Sequence, residues 1–321
     1  MAKISVVIPL YNKVNYIKRA LDSVLHQSFQ DFEVIVVNDG STDGSEKVVE
    51  QYTDSRIRVI NRDSPSPGGH KARNTGIKNA AADLIAFLDA DDEWNAKHLE
   101  TILRLREKYP FVGAYATSYE EREGNKSKIP IFWFIPKRNW EGIIPDYFKS
   151  CVYGASPVWT GAVAIPRYVF GEVGYFPEGV KKGGDLDMWA RIALRYPIAF
   201  SRYVGAIYYK DIPGSVIRVH TMREGFKIVD TLEGFLKDNP DISRKRERYI
   251  REYINRFRLS SASHCIKAGR TDMAGEHLKK CHTRRFFIRK VYLQLKRGRY
   301  CLLHKFLSFK GERKSKEEEA K

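Results

Sequence analysis

Three short polar clusters hold the side chains best suited to chemistry: Tyr11-Asn12, Asn38-Asp39-Gly40-Ser41-Thr42-Asp43 and Asp89-Ala90-Asp91-Asp92. Each follows directly on an apolar run: ISVVIPL at 4–10, FEVIVV at 32–37 and DLIAFL at 83–88. A buried strand that ends in two or three carboxylates is costly unless a cation or a hydrogen-bonded ligand offsets the charge. In the third cluster Asp89 and Asp91 form an Asp-x-Asp pair, which on an exit turn can direct carboxylate oxygens to one point. That arrangement suits a hard divalent ion that also grips phosphate. An isolated Asp-x-Asp is more often an N-cap on a solvated loop; its place at the end of an apolar run tips the balance toward chemistry.

The elements that must position these clusters follow from hydrophobic spacing. Ile4–Leu10, Phe32–Val37, Ile57–Ile60 and Asp83–Leu88 read as buried strands. Asn15–Gln27, with Asn15 available as N-cap, Gly44–Tyr52 and Ala72–Ala81 read as helices between them. Such alternation predicts a mostly parallel α/β sheet, whose ligands lie at the C-terminal ends of the strands. From Phe111 the pattern changes to aromatic-rich, strand-like pieces at Val112–Tyr119 and Ile129–Ile135, followed by a helical run from Leu186 to Tyr196. This second half is expected to pack on the same sheet. Helical spacing with strong charge runs from Met222 to Lys310, and the segment 310–321 is expected to be a disordered end. The expected division is therefore 1–110 and 111–218, two halves of one domain; 219–310, a helical extension; and 311–321, a tail.

Taken together, the motifs resemble the family-2 glycosyltransferases of the GT-A fold. The match runs through Val6–Asn12 (VVIPLYN), Val37–Asp43 (VNDGSTD), Ala72–Gly76 (ARNTG) and Phe87–Asp92 (FLDADD), then Phe170–Phe176 (FGEVGYF) and Gly184–Arg191 (GDLDMWAR). Six motifs in the family's order across roughly residues 3–218 are far more specific than any one. The resemblance implies a mixed sheet flanked by helices and a nucleotide-diphosphate sugar donor, UDP- or GDP-linked. It implies that Tyr11 stacks on the donor base, with Pro9 and Asn12 beside it, and that Asp39 accepts from the base. Arg73 would lie near the diphosphate, Asp89 on the ribose side or in the metal's water shell, Ala90 among the nucleotide-sugar contacts, and Asp91 on a Mn²⁺ or Mg²⁺ ion. Asp185 takes the place of the catalytic base in a single inverting displacement. Thr160, Gly161, Asp187, Trp189 and Arg191 fall on the acceptor side or support it. The acceptor would be a glycan or a lipid-linked hydroxyl, modified once, since the Gln-x-x-Arg-Trp motif of processive synthases is absent.

Two positions depart from the family pattern. Gly184 stands where members commonly carry Glu before the base, and Ile212 where many carry His ahead of Pro213-Gly214-Ser215. These departures leave a non-catalytic nucleotide-sugar-binding protein conceivable. A nucleotidyltransferase lacks its expected Gly-rich, Arg-containing loop after the first strand, and a dehydrogenase its GxGxxG turn. Asp39 to Glu50 also fits the spacing of an EF-hand loop, yet an EF-hand needs an entering helix where this chain has the apolar run ending at Val37. His264, Cys265, His277, Cys281 and His282 could be arranged as a zinc site, but they lack short ligand pairs, and the two cysteines fit apolar helix positions.

Charge is unevenly placed. The net +17 comes mostly from residues 219–321, with 27 Lys/Arg against 13 Asp/Glu, whereas 1–110 carries 15 against 16. From Arg284 to Lys316 there are twelve cations and one acid, Glu312, interleaved with aromatic and aliphatic residues. A basic helix with an apolar face is the pattern of an interfacial segment, so 284–309 is expected either to touch an anionic membrane or to cap the domain. No nucleic-acid recognition motif accompanies the charge, and nucleic acid is not an expected partner. The chain enters a strand pattern at once, has no apolar run near the ~20 residues of a bilayer span, and carries four cysteines without a CxxC pair. A cytoplasmic enzyme, peripheral on the inner face of the membrane, is the resulting expectation.

Overall fold

The computed structural model describes residues 2–212 and 226–301. Pro213-Gly214-Ser215, His220 and the segment 302–321 lie outside the described residues. The chain divides into two compact units, Met1–His220 and Thr221–Lys321.

The first unit is built on a ten-stranded sheet. Its first half supplies β1 (Ile4–Leu10), β2 (Phe32–Asn38), β3 (Ile57–Asn61) and β4 (Leu84–Phe87), all parallel in the order β3-β2-β1-β4. The core residues of β1, β2 and β4 are almost fully buried, as continuous β-branched runs require of a covered parallel sheet. Register aligns the strand ends: Leu10 pairs with Asn38, and Asn38 with Asn61. Phe87 pairs with Val7, so the turn that follows β4 emerges beside the end of β1. Four strand exits thus share one edge.

Between these strands lie α1 (Ile17–Leu25), α2 (Ser45–Glu50) and α3 (His70–Asn79). Asn15 does not cap α1: the chain first turns on the Lys13 carbonyl, which accepts from Tyr16 and Ile17, and Tyr16 is the cap residue without a side-chain bond. Gly76 lets α3 lie against β1, because a Cβ there would stand 2.3 Å from Val7 Cγ1.

The second half continues the sheet with β9 (Val163–Pro166), β6 (Ala114–Glu123), β10 (Ile198–Tyr209) and β5 (Glu93–Trp94); β7 (Lys126–Lys128) pairs with β6 and β8 (Glu141–Ile143) with β10. Here antiparallel pairs enter, at β4–β9, β9–β6 and β10–β5. Helices α4 (His98–Lys108), α5 (Tyr147–Tyr153), α6 (Arg167–Val173) and α7 (Gly184–Arg195) complete the unit. Residues 129–135, expected as a strand, form a loop. Their carbonyls find a side chain instead of a neighbouring strand: the Arg202 guanidinium donates to Phe132 O at 3.1 Å, Ile135 O at 2.8 Å and Pro136 O at 2.9 Å.

The second unit is helical: α8 (Lys227–Asp238), α9 (Arg244–Lys267), α10 (Thr271–Lys279) and α11 (287–301). Cys265, Cys281, Leu259, Ile266, Leu278 and Leu293 share one of its buried clusters, so both cysteines serve as core residues. None of the described helices is long and apolar enough to cross a membrane.

Candidate active site

The loops after β1 and β2 are zipped together by short polar side chains. Asn12, in the left-handed region at φ 49°, accepts from Thr42 N at 2.8 Å while its own N–H donates to Ser41 Oγ at 3.1 Å. Ser45 Oγ receives Lys13 N, and Asp43 receives Val14 N. Burial pushes the Asp43 carboxyl up, but the bonds from Ser45 and Val14 outweigh it and hold the group below its ordinary range. The latch leaves Tyr11 47% exposed at the end of β1.

Asp39 lies at the floor of this edge, nearly fully buried. One carboxylate oxygen is paired with Arg62, and the other accepts from Ser66 N at 2.9 Å and Ser66 Oγ at 3.1 Å. Arg62 leaves β3 at the same level as the other clusters, so the strand-exit rule that singled out Asp39 could have found it too.

The ARNTG motif ties the halves together. Arg73 pairs with Asp89 and donates to Gly68 O at 3.1 Å. Asn74 exchanges two bonds with the Phe176 backbone, at 2.9 and 3.0 Å, and donates to Glu178 at 3.0 Å. This fixes the 170–176 motif of the second half against α3 of the first.

Carboxylates crowd the turn after β4. Asp92 is 1% exposed and accepts from Tyr209 N at 2.9 Å. Burial, then the charges of Asp91 and Asp89, push its pKa well above the ordinary carboxyl value. Asp91 keeps partial exposure and pairs with Lys13 at 2.8 Å, while its carbonyl accepts from Arg19. Asp185, at the start of α7, is also raised, chiefly by lost hydration; the Leu186 N–H and Arg73 oppose the shift and the charge of Asp89 adds to it. Asp185, Arg73 and Asp89 therefore share one electrostatic neighbourhood, although they come from three motifs spread over more than a hundred residues.

Three aromatic rings border that neighbourhood. Trp159 lies 5.0 Å from Tyr119 and 5.0 Å from Tyr208, centroid to centroid. Burial raises both tyrosine pKa values; the charge of Asp185 also acts on Tyr119, and those of Asp92, Asp89 and Asp91 act on Tyr208. Thr160 and Gly161 follow Trp159 in a short turn before β9, where Gly161 O accepts from Trp94 Nε1 at 2.6 Å. Gly161 is required by its neighbour, since a Cβ there would meet the Trp159 ring at 2.4 Å.

The remaining expected residues brace α7. Asp187 is buried and paired with Arg191 at 2.9 Å, and Arg191 in turn donates to the carbonyls of Val173, Gly174 and Tyr175. Trp189 is fully buried, edge-on to Phe176. These three hold the helix that carries Asp185. Pro9 and Ala90 contribute backbone at the two strand exits.

His70 has no signal in the sequence. Its ring stacks on Phe176 at 5.9 Å, is 4% exposed, and fills the space in front of Gly184: a Cβ at 184 would stand 2.4 Å from His70 Nε2. Burial, with help from Arg73, lowers its pKa to about 3, so the ring is neutral at physiological pH. The missing side chain before Asp185 is thus replaced by an imidazole from the other half of the sheet.

Residues 5–170 match the model of glycosyl transferase family 2. The chain belongs to that family. Among its relatives, an uncharacterised glycosyltransferase of Rickettsia bellii is 36% identical over 198 residues, 60% of this chain and 27% of the relative. YwdF of Bacillus subtilis, also an uncharacterised glycosyltransferase, is 30% identical over 207 residues, 64% of this chain and 74% of its own. The chain spans 27–31% of the length of three Rickettsia relatives that it matches. Among solved structures, residues 1–349 of TarS from S. aureus, in complex with UDP-GlcNAc, superpose with TM-score 0.71 at 19% identity, over 93% of this chain and 89% of that one. The complex of the same protein with UDP gives 0.56, covering 91% of each. The family-2 chain therefore has the GT-A fold, a mixed sheet flanked by helices with a helical region after it.

Proposed function

We propose that this chain is an inverting, non-processive glycosyltransferase that moves one sugar from a nucleotide-diphosphate donor to an acceptor hydroxyl in glycan or glycolipid assembly. The observation that carries the reading is the convergence of Asp185, Arg73 and Asp89 beside the Asp91-Asp92 turn, because transfer needs a base, a diphosphate contact and a cation-binding turn together. Asp185 takes the proton of the acceptor hydroxyl; the freed oxygen attacks the anomeric carbon, and the bond to the diphosphate oxygen breaks on the opposite face. A carboxyl whose pKa is raised toward the working pH is the better base. Arg73 and Lys13 offset charge on the departing diphosphate. Tyr11, half-exposed, would stack on the base, and buried Asp39 would accept from it. The TarS complexes favour uridine in the donor.

The acidic turn suits a divalent cation held jointly with substrate. Among the described residues no group of three His, Cys, Asp or Glu is placed to hold a metal alone. Mg²⁺ and similar ions, however, commonly take one or two carboxylates plus substrate phosphates. Asp91, with Asp89 beside it, supplies that donor set; burial first, and then the charges of Asp91 and Asp89, raise the pKa of Asp92 next to them. Bound there, the cation would stabilise the leaving diphosphate.

A peripheral membrane contact through 284–301 is part of the reading. Ile288, Tyr292 and Leu295, on one face of α11 at i, i+4 and i+7, are 85%, 59% and 67% exposed, and Arg284, Arg285, Arg289 and Arg299 are exposed around them. A lipid-linked acceptor would be met at that surface. The rest of the basic segment, to 309, lies outside the described residues.

The functional reading is tested by a thermal-shift panel of UDP, GDP, CDP and ADP with Mn²⁺ or EDTA. One uracil or guanine nucleotide should stabilise the protein by ~2.7 kcal/mol at a hundred times its Kd, with weaker binding in EDTA. No stabilisation by any nucleotide would overturn it.

A further inference from the structure

The segment 124–140 carries four cations, Lys126, Lys128, Lys137 and Arg138, and not one carboxylate. Within it the loop after β7 turns its apolar side chains in two directions. Phe132 and Ile135 are buried, whereas Ile129, Ile131, Trp133 and Phe134 are 52%, 67%, 53% and 43% exposed. Water contact for four such residues in a row of six is unfavourable, and contiguous exposed apolar surface of this kind marks an interaction site. The exposure is built in by local bonds. Arg202 holds three of the loop's carbonyls, and Ala155 N donates to Ile131 O at 3.1 Å. Lys149 lies 3.7 Å from the centre of the Phe134 ring. The loop is therefore preformed with its hydrophobic tip outward; Lys126, Lys137 and Arg138 of the same segment are exposed, while Lys128 pairs with Glu121 at 3.3 Å.

We infer that this tip inserts into the interfacial layer of an anionic phospholipid bilayer. The chemistry on both sides agrees: tryptophan and other large apolar side chains favour the headgroup boundary, and each nearby Lys or Arg gains ~1 kcal/mol at an anionic leaflet. A protein partner would need its own acidic rim around an apolar socket, whereas an anionic bilayer supplies both over its whole surface. The tip also abuts the acceptor side of the site: Phe132 packs on Tyr119 at 6.0 Å, and Tyr119 on Trp159. Insertion would bring a membrane-anchored acceptor hydroxyl to that aromatic wall. The contact belongs to the first unit and stands whether or not α11 touches lipid.

The test reads the tip directly. In the full chain with Cys301 changed to Ser, Trp133→Cys is labelled with an environment-sensitive fluorophore, the other three cysteines being buried. Vesicles of 30% phosphatidylglycerol in phosphatidylcholine should blue-shift the emission, and pure phosphatidylcholine should do so at least tenfold more weakly at equal lipid. The shift should persist in Ile288→Ser/Leu295→Ser, which removes the α11 face. In sedimentation, the unlabelled triple variant Ile131→Ser/Trp133→Ser/Phe134→Ser should partition to anionic vesicles at least tenfold less than wild type. It should still fold and hydrolyse donor as wild type does, since all three side chains are exposed. An unmoved probe at 133, or equal partitioning of the triple variant, overturns the inference. So does a patch that only joins copies of the chain, seen as a dimer by mass photometry that the triple variant abolishes while vesicle binding stays unchanged.

Discussion

Gly184→Ala is the smallest change that reports on how Asp185 is held. The added methyl would stand 2.4 Å from His70 Nε2 and 2.9 Å from two ring carbons, so ring or helix must give by about 1 Å to restore ordinary contact. The ring has little room, being stacked on Phe176, which itself packs edge-on against Phe87 and Trp189. Overpacking of this kind costs ~1–3 kcal/mol, and replacing a helical glycine returns up to ~1 kcal/mol. A net loss of ~1–2 kcal/mol is expected, which at a urea slope of ~2 kcal/mol/M lowers the midpoint by ~0.5–1 M. Displacing Asp185 by a fraction of that movement should also lower donor hydrolysis ~10- to 100-fold. His70→Ala removes the obstacle and leaves a cavity. In the double variant the clash is gone, so the two changes should couple by ~1–3 kcal/mol in the favourable direction. Because His70 is neutral, the coupling should not vary between pH 6 and 8. Additive effects, or a Gly184→Ala protein as stable and active as wild type, would refute the reasoning.

Other outcomes follow from the same geometry. Asp92→Asn keeps the acceptor for Tyr209 N and removes a carboxyl whose folded pKa is raised. The folded wild type retains a proton on Asp92 that the unfolded chain has released, so this group's contribution to stability is fully present below about pH 4 and is lost as pH rises through the folded pKa, by up to ~1.4 kcal/mol per unit. Denaturation of the variant from pH 4 to 8 should show a shallower decline; an unchanged slope would mean Asp92 is ionised throughout. Asp91→Ala should weaken UDP binding in Mn²⁺ but not in EDTA, measured by calorimetry, and equal wild-type affinity in the two media removes the metal from the account. Ile288→Ser/Leu295→Ser should reduce sedimentation with anionic vesicles several-fold at low salt without lowering stability, because both side chains are exposed; unchanged sedimentation leaves α11 without a membrane role.

The sheet's first half could be read from residues 1–92 because continuous apolar runs bury both faces of a parallel strand and break off at polar exits. Those exits also named Tyr11, Asp39, Asp89 and Asp91. What local pattern could not supply were partners distant in the chain. Residues 129–135 have strand-like composition, yet Arg202 satisfies their carbonyls from seventy residues away and keeps them a loop. Asn15 has the right type for a cap, but the Lys13 carbonyl closes the turn one residue later. Gly184 looks like a loss beside the proposed base until His70 is found in the vacated space. Asp187 and Arg191 have the i, i+4 spacing of an ion pair, which could have marked them as the brace they form.

The central claim is that Asp185 is the base of an inverting displacement from a nucleotide-diphosphate sugar. Its most direct measurement is NMR of the sugar released when wild type and Asp185→Asn are incubated with UDP-sugars and Mn²⁺. The first-formed sugar should be the anomer opposite to the donor's. Release by Asp185→Asn should be at least ~100-fold slower, with UDP affinity unchanged. Retained configuration, or a variant keeping more than about a tenth of the rate against that loss, would contradict it.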